Sequence, residues 1–208
     1  MEREHERMGN PTAPATRQGE APRWAPREPP FPGFDPQRAP NGRPWRRAAV
    51  LFLLYKREAG LYTVFVRRTP TVATHQGQIA LPGGAHEPTD ASLQQTALRE
   101  TYEELGIPPE GVIVLAELEP EYVAVSGFLV TPFIGRLLGT PTFRPDPREV
   151  AEVIEVPVAA LRDPACVREE ERGTYIRRSP VYQYGPYEIW GATARILRRI
   201  LARPEAAG

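Results

Sequence analysis

The sequence predicts an α/β (α+β) fold, an α/β/α sandwich built around a mixed β-sheet. Short apolar segments of strand length recur between residues 48 and 189, and turn residues separate them. One capped helical segment lies among these strands, and an amphipathic helical segment closes the chain. Placing helices on both faces of a single sheet is the usual way to bury such elements.

Two regions of different composition divide the chain. Residues 1–44 hold ten of the 25 prolines and little aliphatic content, so they cannot bury enough apolar surface to fold alone. We predict a Pro-rich, partly disordered tail that orders only where Trp24, Phe31 or Phe34 docks on the domain. Residues 45–208 form that domain. The tail is either a passive extension or an arm that binds a partner.

The domain begins with a predicted β-hairpin. Residues 48–54 are an apolar run short enough for a buried strand, and residues 61–66 form the returning strand after a turn at 58–60. Residues 67–80 are predicted to be a polar loop.

A helix follows this loop. Asp90 or Ser92 can cap its start, and Gly106 supplies its end after Leu105. A short helix at 157–161 and an amphipathic helix at 192–201 are predicted further on. Strands are predicted at residues 112–118, 122–125, 128–134, 150–156, 174–176, 181–184 and 187–189.

The charge balance excludes several classes of function. Lys+Arg and Asp+Glu both number 26, which argues against bulk binding of nucleic acid or of an anionic membrane. The sequence has neither an 18-residue apolar run nor a secretory signal, so we expect a cytoplasmic protein. Its oligomeric state stays open, with a homodimer as one option. A small nucleotide-like ligand needs only a local group of positive side chains.

The predicted helix concentrates carboxylates on one face. Glu100, Glu103 and Glu104 have the i, i+3, i+4 spacing that brings side chains together within a sector of roughly 100°. Carboxylates gathered in this way repel one another unless a positive group lies among them. Hard oxygen ligands suit Mg²⁺ or Mn²⁺. A solvated acidic face is the other interpretation of the same spacing.

This helix resembles the second half of the Nudix hydrolase motif, G-x5-E-x7-R-E-U-x-E-E-x-G-U, in which U is a bulky apolar residue. Thr101 occupies the first U position, a departure from the pattern. The matching residues are Arg99, Glu100, Glu103, Glu104, Gly106 and Ile107.

The first half of the motif departs further. Five residues separate Gly84 from Asp90, which stands in place of Glu, and eight residues instead of seven separate Asp90 from Arg99. The resemblance implies a Nudix-type α/β/α sandwich, with residues 45–208 as a Nudix hydrolase domain.

The resemblance also implies a metal site. Glu100, Glu103 and Glu104, with the carbonyl oxygen of Gly84, would hold Mg²⁺ or Mn²⁺ against a diphosphate, and the cation would lower the pKa of a bound water.

The implied catalytic residues are Arg99, Glu100 and Glu103, because Arg99 would hold the glutamates in place by charge-assisted hydrogen bonds. The general base stays open between Glu100 and a later acidic residue, Glu149 or Glu152.

The segment before the motif is similar to the signature of the coenzyme A pyrophosphatases, L-L-T-x-R/T-S/A-x3-R-x3-G-x3-F-P-G-G. Leu81 replaces Phe, Thr69 replaces Ser or Ala, and Ala73 stands where Arg is expected. Residues 187–194 resemble the closing motif of that subfamily. The matching residues are Arg68, Gly77, Pro82, Gly83 and Gly84.

The second resemblance implies a substrate. The chain would hydrolyse coenzyme A or a derivative to 3′,5′-ADP and 4′-phosphopantetheine, with Arg67, Arg68 and His75 as candidate substrate-binding residues. We expect an Ala substitution of either arginine to raise KM more than it lowers kcat. Tyr187 and Trp190 are predicted to pack in the core. The alternatives are a Nudix hydrolase of another nucleoside diphosphate derivative, such as ADP-ribose, and a non-catalytic coenzyme A sensor.

Overall fold

The computed structural model describes residues 30–69, 77–172 and 177–207 of the 208-residue chain. A mixed β-sheet forms its centre and helices cover both faces, which confirms the predicted α/β/α sandwich. The strands of the central sheet are β1 (Arg46–Arg57), β2 (Gly60–Arg68), β3 (Ile79–Ala80), β4 (Gly83–Ala85), β5 (Val112–Glu117), β6 (Glu121–Val123), β7 (Phe128–Leu137) and β8 (Val150–Pro157).

A smaller antiparallel sheet and the helices complete the fold. Its strands are β9 (Val167–Arg172), β10 (Arg177–Tyr184) and β11 (Tyr187–Ile189), in the order β11-β10-β9. The helices are α1 (Leu93–Leu105), α2 (Val158–Arg162) and α3 (Gly191–Leu201), with short 3-10 turns at Pro109–Gly111, Pro164–Cys166 and Pro204–Ala207. In the described part of the chain, no helix combines the length and the apolar character that a membrane crossing requires.

Strand β1 organises the central sheet because it pairs with three neighbours. It runs parallel to β7 over most of its length and antiparallel to β4 at residues 48–50 and to β2 at residues 55–57. The pairing with β4 places the Gly83–Gly84 backbone in the middle of the sheet, directly beside β1.

Strand β1 is buried on both of its faces. Phe52 and Leu54 pack in the cluster that includes α2 and α3, whereas Leu51 and Leu53 pack in the cluster that includes α1. Since successive strand residues point to opposite faces, a continuous apolar run requires cover on both sides.

The predicted loop at residues 67–80 is wrong at both ends. Arg67 and Arg68 end β2, where they pair with Glu152 and Val150 of β8, and Ile79–Ala80 forms β3. Backbone hydrogen bonds continue the ladder there although the side chains are polar. Strand β9 was not predicted because its charged sequence, VREEER, lacks an apolar period. Within the described part of the chain it pairs with β10. The predicted strand at 174–176 lies outside the described residues.

Part of the predicted tail packs on the domain. Phe31 and Phe34 join Tyr122 in an aromatic cluster on the outside of the sheet. Trp24 lies outside the described residues, and the domain boundary at residue 45 stays a prediction.

Candidate active site

Local signals fix the position of α1. The Ser92 hydroxyl accepts a hydrogen bond from the Gln95 backbone N–H at 3.1 Å, and Gly106, with a φ of 70°, ends the helix in the left-handed region. Thr101 and Leu105 are buried against the sheet. This anchoring turns the adjacent glutamates toward β4 and the solvent.

Glu104 is the most buried carboxylate of the site. Its side chain is 1% exposed, and Oε2 accepts the backbone N–H of Gly83 at 2.9 Å. Arg68 donates to Oε1 at 3.2 Å. Burial raises the pKa of Glu104 to about 8, although Arg68 and the Gly83 hydrogen bond oppose this shift. The nearby charges of Glu100 and Glu149 raise it further.

Glu100 packs directly on Gly84. A Cβ atom at position 84 would overlap the Glu100 carboxylate, so the sheet and the helix approach this closely only because residue 84 has no side chain. Burial raises the pKa of Glu100, and the Arg99 guanidinium, 3.0 Å away, partly offsets the shift.

Arg99 connects the carboxylate helix to the loop before it. Its guanidinium donates to Asp90 at 2.9 Å and 3.0 Å and to the Ala85 carbonyl at 3.0 Å. The same group contacts Glu100 and donates to Glu103 at 2.9 Å. Because Arg99 reaches both glutamates and the loop, it can hold the acidic face in register with β4.

Asp90 occupies the position where the motif has Glu. Its side chain is 2% exposed, and its oxygens accept hydrogen bonds from the Thr96 hydroxyl at 2.8 Å, the Glu87 backbone N–H at 3.0 Å and Arg99. The Arg99 hydrogen bonds hold the pKa of Asp90 well below its usual range. The sequence did not predict Asp90 as the buried partner of Arg99, because helical periodicity relates residues three or four apart and these two are nine apart.

Glu103 points away from the buried carboxylates. Its side chain is 52% exposed and pairs with Arg99. Glu149 comes from the segment before β8 instead; its side chain is 46% exposed, lies 3.7 Å from Arg68, and its charge acts on both Glu100 and Glu104. The acidic cluster beside Gly84 therefore consists of Glu100, Glu104 and Glu149.

The donor set fits a hard divalent cation. No group of three or more His, Cys, Asp or Glu side chains is gathered at metal-binding distance in residues 30–69, 77–172 and 177–207. Glu104 is buried between two acidic neighbours, Glu100 and Glu149, and Arg68 is the cationic side chain that contacts it. Carboxylate oxygens of Glu100 and Glu104 could hold Mg²⁺ or Mn²⁺ beside the Gly84 backbone.

The candidate substrate-binding residues have different surroundings. Arg68 lies beside Glu104 and Glu149 and lines a cleft, whereas Arg67 pairs with Glu152, which also accepts the Tyr187 hydroxyl at 2.7 Å. His75 lies outside the described residues.

A cleft of about 670 Å³ opens beside Gly83 and Gly84. Its lining comes from residues 30–31, from strands β1 to β4 and β7, from the β6–β7 hairpin, from strands β9 and β10 of the small sheet and from the start of α3. Trp190 lines it and is 37% exposed, so the prediction that this residue packs in the core is wrong. The reason is its place at the start of α3, where the chain leaves the small sheet.

Asp90→Asn should lower the free energy of unfolding by about 3 kcal/mol at pH 7, because it breaks a buried ion pair. The lowered pKa means that the unfolded chain binds more protons than the folded one near pH 4. The contribution of the Asp90 carboxylate to the free energy of unfolding is therefore complete above about pH 5, and it shrinks as the pH falls through the ordinary range of Asp pKa values. Urea unfolding of both proteins at pH 7 and pH 3.5 measures this; an equal difference at both would contradict the assignment.

A family model and two curated relatives match most of this chain. A family model described as the NUDIX domain matches residues 44–177. The uncharacterized Nudix hydrolase NudL of Cronobacter sakazakii is 40% identical over 171 residues, which cover 79% of this chain and 86% of that protein. NudL of Pectobacterium atrosepticum is 38% identical over 172 residues, covering 80% and 88%.

A solved structure is similar in fold. The crystal structure of DR0079 from Deinococcus radiodurans matches with a TM-score of 0.50 and 17% identity, over 76% of this chain and 83% of that one. At this level of identity the likeness concerns the fold alone.

Proposed function

The chain belongs to the Nudix hydrolase family, and from this premise we propose that it hydrolyses the diphosphate of coenzyme A, or of a derivative, to 3′,5′-ADP and 4′-phosphopantetheine. One observation carries the choice of substrate. Two segments that resemble the coenzyme A pyrophosphatases, around Gly83–Gly84 and around Trp190, are about a hundred residues apart in sequence and line the same cleft.

The acidic cluster gives the chain its part in the chemistry. Glu100 and Glu104, with the Gly84 carbonyl, would hold Mg²⁺ or Mn²⁺, and Glu103 is a further ligand candidate on the exposed side. When bound, the cation neutralises the diphosphate and lowers the pKa of water. Arg99 keeps Glu100 and Glu103 in position through its hydrogen bonds.

Positioning dominates because displacement at phosphorus needs little covalent chemistry from the protein. Arg68 lines the cleft beside Glu104, where its guanidinium can meet a phosphate oxygen. Glu149 is the candidate base: its carboxylate is half-exposed beside Arg68 and can take a proton from the attacking water. Glu152, the other candidate, is paired with Arg67 and Tyr187.

A product assay tests the substrate. We expect coenzyme A to give 3′,5′-ADP and 4′-phosphopantetheine in Mg²⁺ or Mn²⁺, with turnover lost in EDTA and restored by excess cation. ADP-ribose and other nucleoside diphosphate derivatives form the comparison panel. Higher kcat/KM on one of these would contradict the choice of coenzyme A, and binding of coenzyme A without turnover in saturating Mn²⁺ would favour a sensor.

Arg68→Ala should raise KM for the diphosphate substrate about 10-fold and lower kcat less, because a cation beside the phosphates contributes mainly to binding. Arg67→Ala is the matched control, since its guanidinium pairs with Glu152. The expectation from the sequence treated both arginines alike; because Glu152 pairs with the Arg67 guanidinium, we now expect Arg67→Ala to change KM less than about twofold. Steady-state kinetics of the two variants give the comparison; an unchanged KM in Arg68→Ala would remove this residue from the binding site.

A further inference from the structure

The cleft is partly built by chain that lies outside the Nudix domain match. The family match begins at residue 44, whereas Pro30 and Phe31 line the cleft beside the β6–β7 hairpin. We propose that residues 30–45, here the N-terminal wall, form one side of the substrate cleft and select substrates with an uncharged, largely apolar arm on the diphosphate. The identity of that arm rests on the proposed function.

Aromatic packing fixes the N-terminal wall to the domain. The rings of Phe34 and Tyr122 pack edge-on with their centroids 4.6 Å apart. The rings of Trp45 and Tyr122 also pack edge-on, with centroids 4.9 Å apart. Phe31 packs edge-on against Phe34 at 5.3 Å and is itself buried. Tyr122 also lines the cleft, so the wall and the cleft share this residue.

Hydrogen bonds hold the wall in one conformation. The Trp45 indole donates to the Asp35 carbonyl at 3.0 Å, and the Ala39 backbone N–H donates to the Arg43 carbonyl at 2.8 Å. The Arg46 backbone N–H donates to the Gly127 carbonyl at 3.0 Å, which ties the end of the wall to the β6–β7 hairpin. An ordered segment of this kind can present Phe31 at a defined place.

The charges around the cleft indicate what it accepts. Most of its lining is apolar, and each charged residue in the described lining already has an ion-pair partner. Glu121 pairs with Arg195 and Arg199 on α3. Glu170 pairs with Arg168.

The remaining charged residue of the lining is Arg68, which pairs with Glu104 and Glu149 at the acidic cluster. A charged group in the rest of the cleft would compete with existing pairs, whereas an uncharged arm buries apolar surface without breaking them. The cleft therefore suits the arm attached to the diphosphate rather than a further phosphate.

The test compares esters of ADP that differ only in the arm, together with coenzyme A, which also carries a 3′-phosphate. The probes are coenzyme A and a series of alkyl esters of ADP from methyl to octyl, in Mn²⁺. In the wild type we expect KM to fall with alkyl length. Phe31→Ala should raise KM for coenzyme A and for the octyl ester about 10-fold and for the methyl ester less than about twofold, with kcat unchanged. Phe31→Leu should restore most of the wild-type difference in KM between the octyl and methyl esters.

A control separates this effect from loss of stability. Phe143→Ala removes an aromatic side chain that packs edge-on against Tyr55, at 5.8 Å, in the α1 cluster. We expect it to lower Tm and to leave the dependence of KM on arm length unchanged. Equal KM values for wild type and Phe31→Ala across the series, or an equal rise for every ester, would overturn the proposal.

Calorimetric binding of the methyl and octyl esters gives the same comparison without turnover. If the octyl ester binds wild type no more tightly than the methyl ester, the wall has no role in selection. If coenzyme A is not hydrolysed but the esters show the Phe31-dependent pattern, the choice of coenzyme A as substrate is wrong and the role of the N-terminal wall in selection is supported. If coenzyme A is hydrolysed and Phe31→Ala leaves KM unchanged across the series, the role of the N-terminal wall is wrong and the choice of coenzyme A is unaffected.

Discussion

Glu104→Gln should lower kcat/KM by about 1000-fold, which corresponds to about 4 kcal/mol of transition-state stabilisation. The amide keeps the shape of the side chain and an acceptor for the Gly83 N–H, but it removes one anionic ligand from the acidic cluster. In EDTA, the variant should unfold at a temperature no lower than that of the wild type. Burial raises the pKa of Glu104, whereas the pKa of Asp90 is lowered, so the ionised carboxylate is unfavourable at this 1% exposed position and a neutral amide avoids its desolvation.

Two further substitutions by Gln calibrate this result. Glu103→Gln should lower kcat/KM only about 10-fold, because that side chain is half-exposed and pairs with Arg99. Glu110→Gln, on the exposed turn after α1, should leave kinetics unchanged. A loss at Glu110 as large as at Glu104 would show that general charge, and not the buried carboxylate, governs activity.

Gly84→Ala should lower kcat about 100-fold and leave Tm within a few degrees of the wild-type value. The new Cβ would overlap the carboxylate of Glu100, the mobile end of a side chain, so the carboxylate rather than the backbone should move. The protein then stays folded, but the Glu100 carboxylate is no longer in position beside Glu104. Turnover in Mn²⁺ and thermal unfolding of the same preparation measure the two effects.

Gly83→Ala, one residue earlier, should have the opposite pattern. Its φ of 145° is unfavourable for other residues, and its Cβ would overlap the Ala49 carbonyl and the Val50 backbone of β1. We expect a loss of about 3 kcal/mol or more in the free energy of unfolding. Gly60→Ala is the control for strain alone, because φ there is 123° and nothing lies within 4 Å. If Gly83→Ala costs no more than Gly60→Ala, the close approach of β4 to β1 is not what requires glycine.

The sequence predicted the carboxylate helix well because its signals are local. The sequence offered Asp90 or Ser92 as the start of the helix, of which Ser92 is the observed cap, and Gly106 as its end. The spacing of Glu100, Glu103 and Glu104 placed all three on one helix. The difference between buried Glu104 and exposed Glu103 could not be predicted, because it depends on how the helix faces β4.

Other parts of the site depend on contacts between distant segments. Glu149 reaches the acidic cluster from the segment before β8, and Asp90 binds Arg99 across a loop. Phe31 was one of the residues predicted to dock on the domain, but its place in the lining of the cleft was not predicted. Local periodicity carries no information on any of these contacts, since each is set by tertiary packing.

Binding of Mn²⁺ in the absence of substrate shows whether a cation site lies between α1 and β4. The free Mn²⁺ signal in electron paramagnetic resonance should decrease when wild-type protein is added and no substrate is present. Glu104→Gln should leave most of that signal, whereas Glu110→Gln should bind Mn²⁺ as the wild type does. Wild-type protein that binds no Mn²⁺ at millimolar concentration, or Glu104→Gln that binds it equally well, would contradict the assignment of this acidic cluster as the metal site.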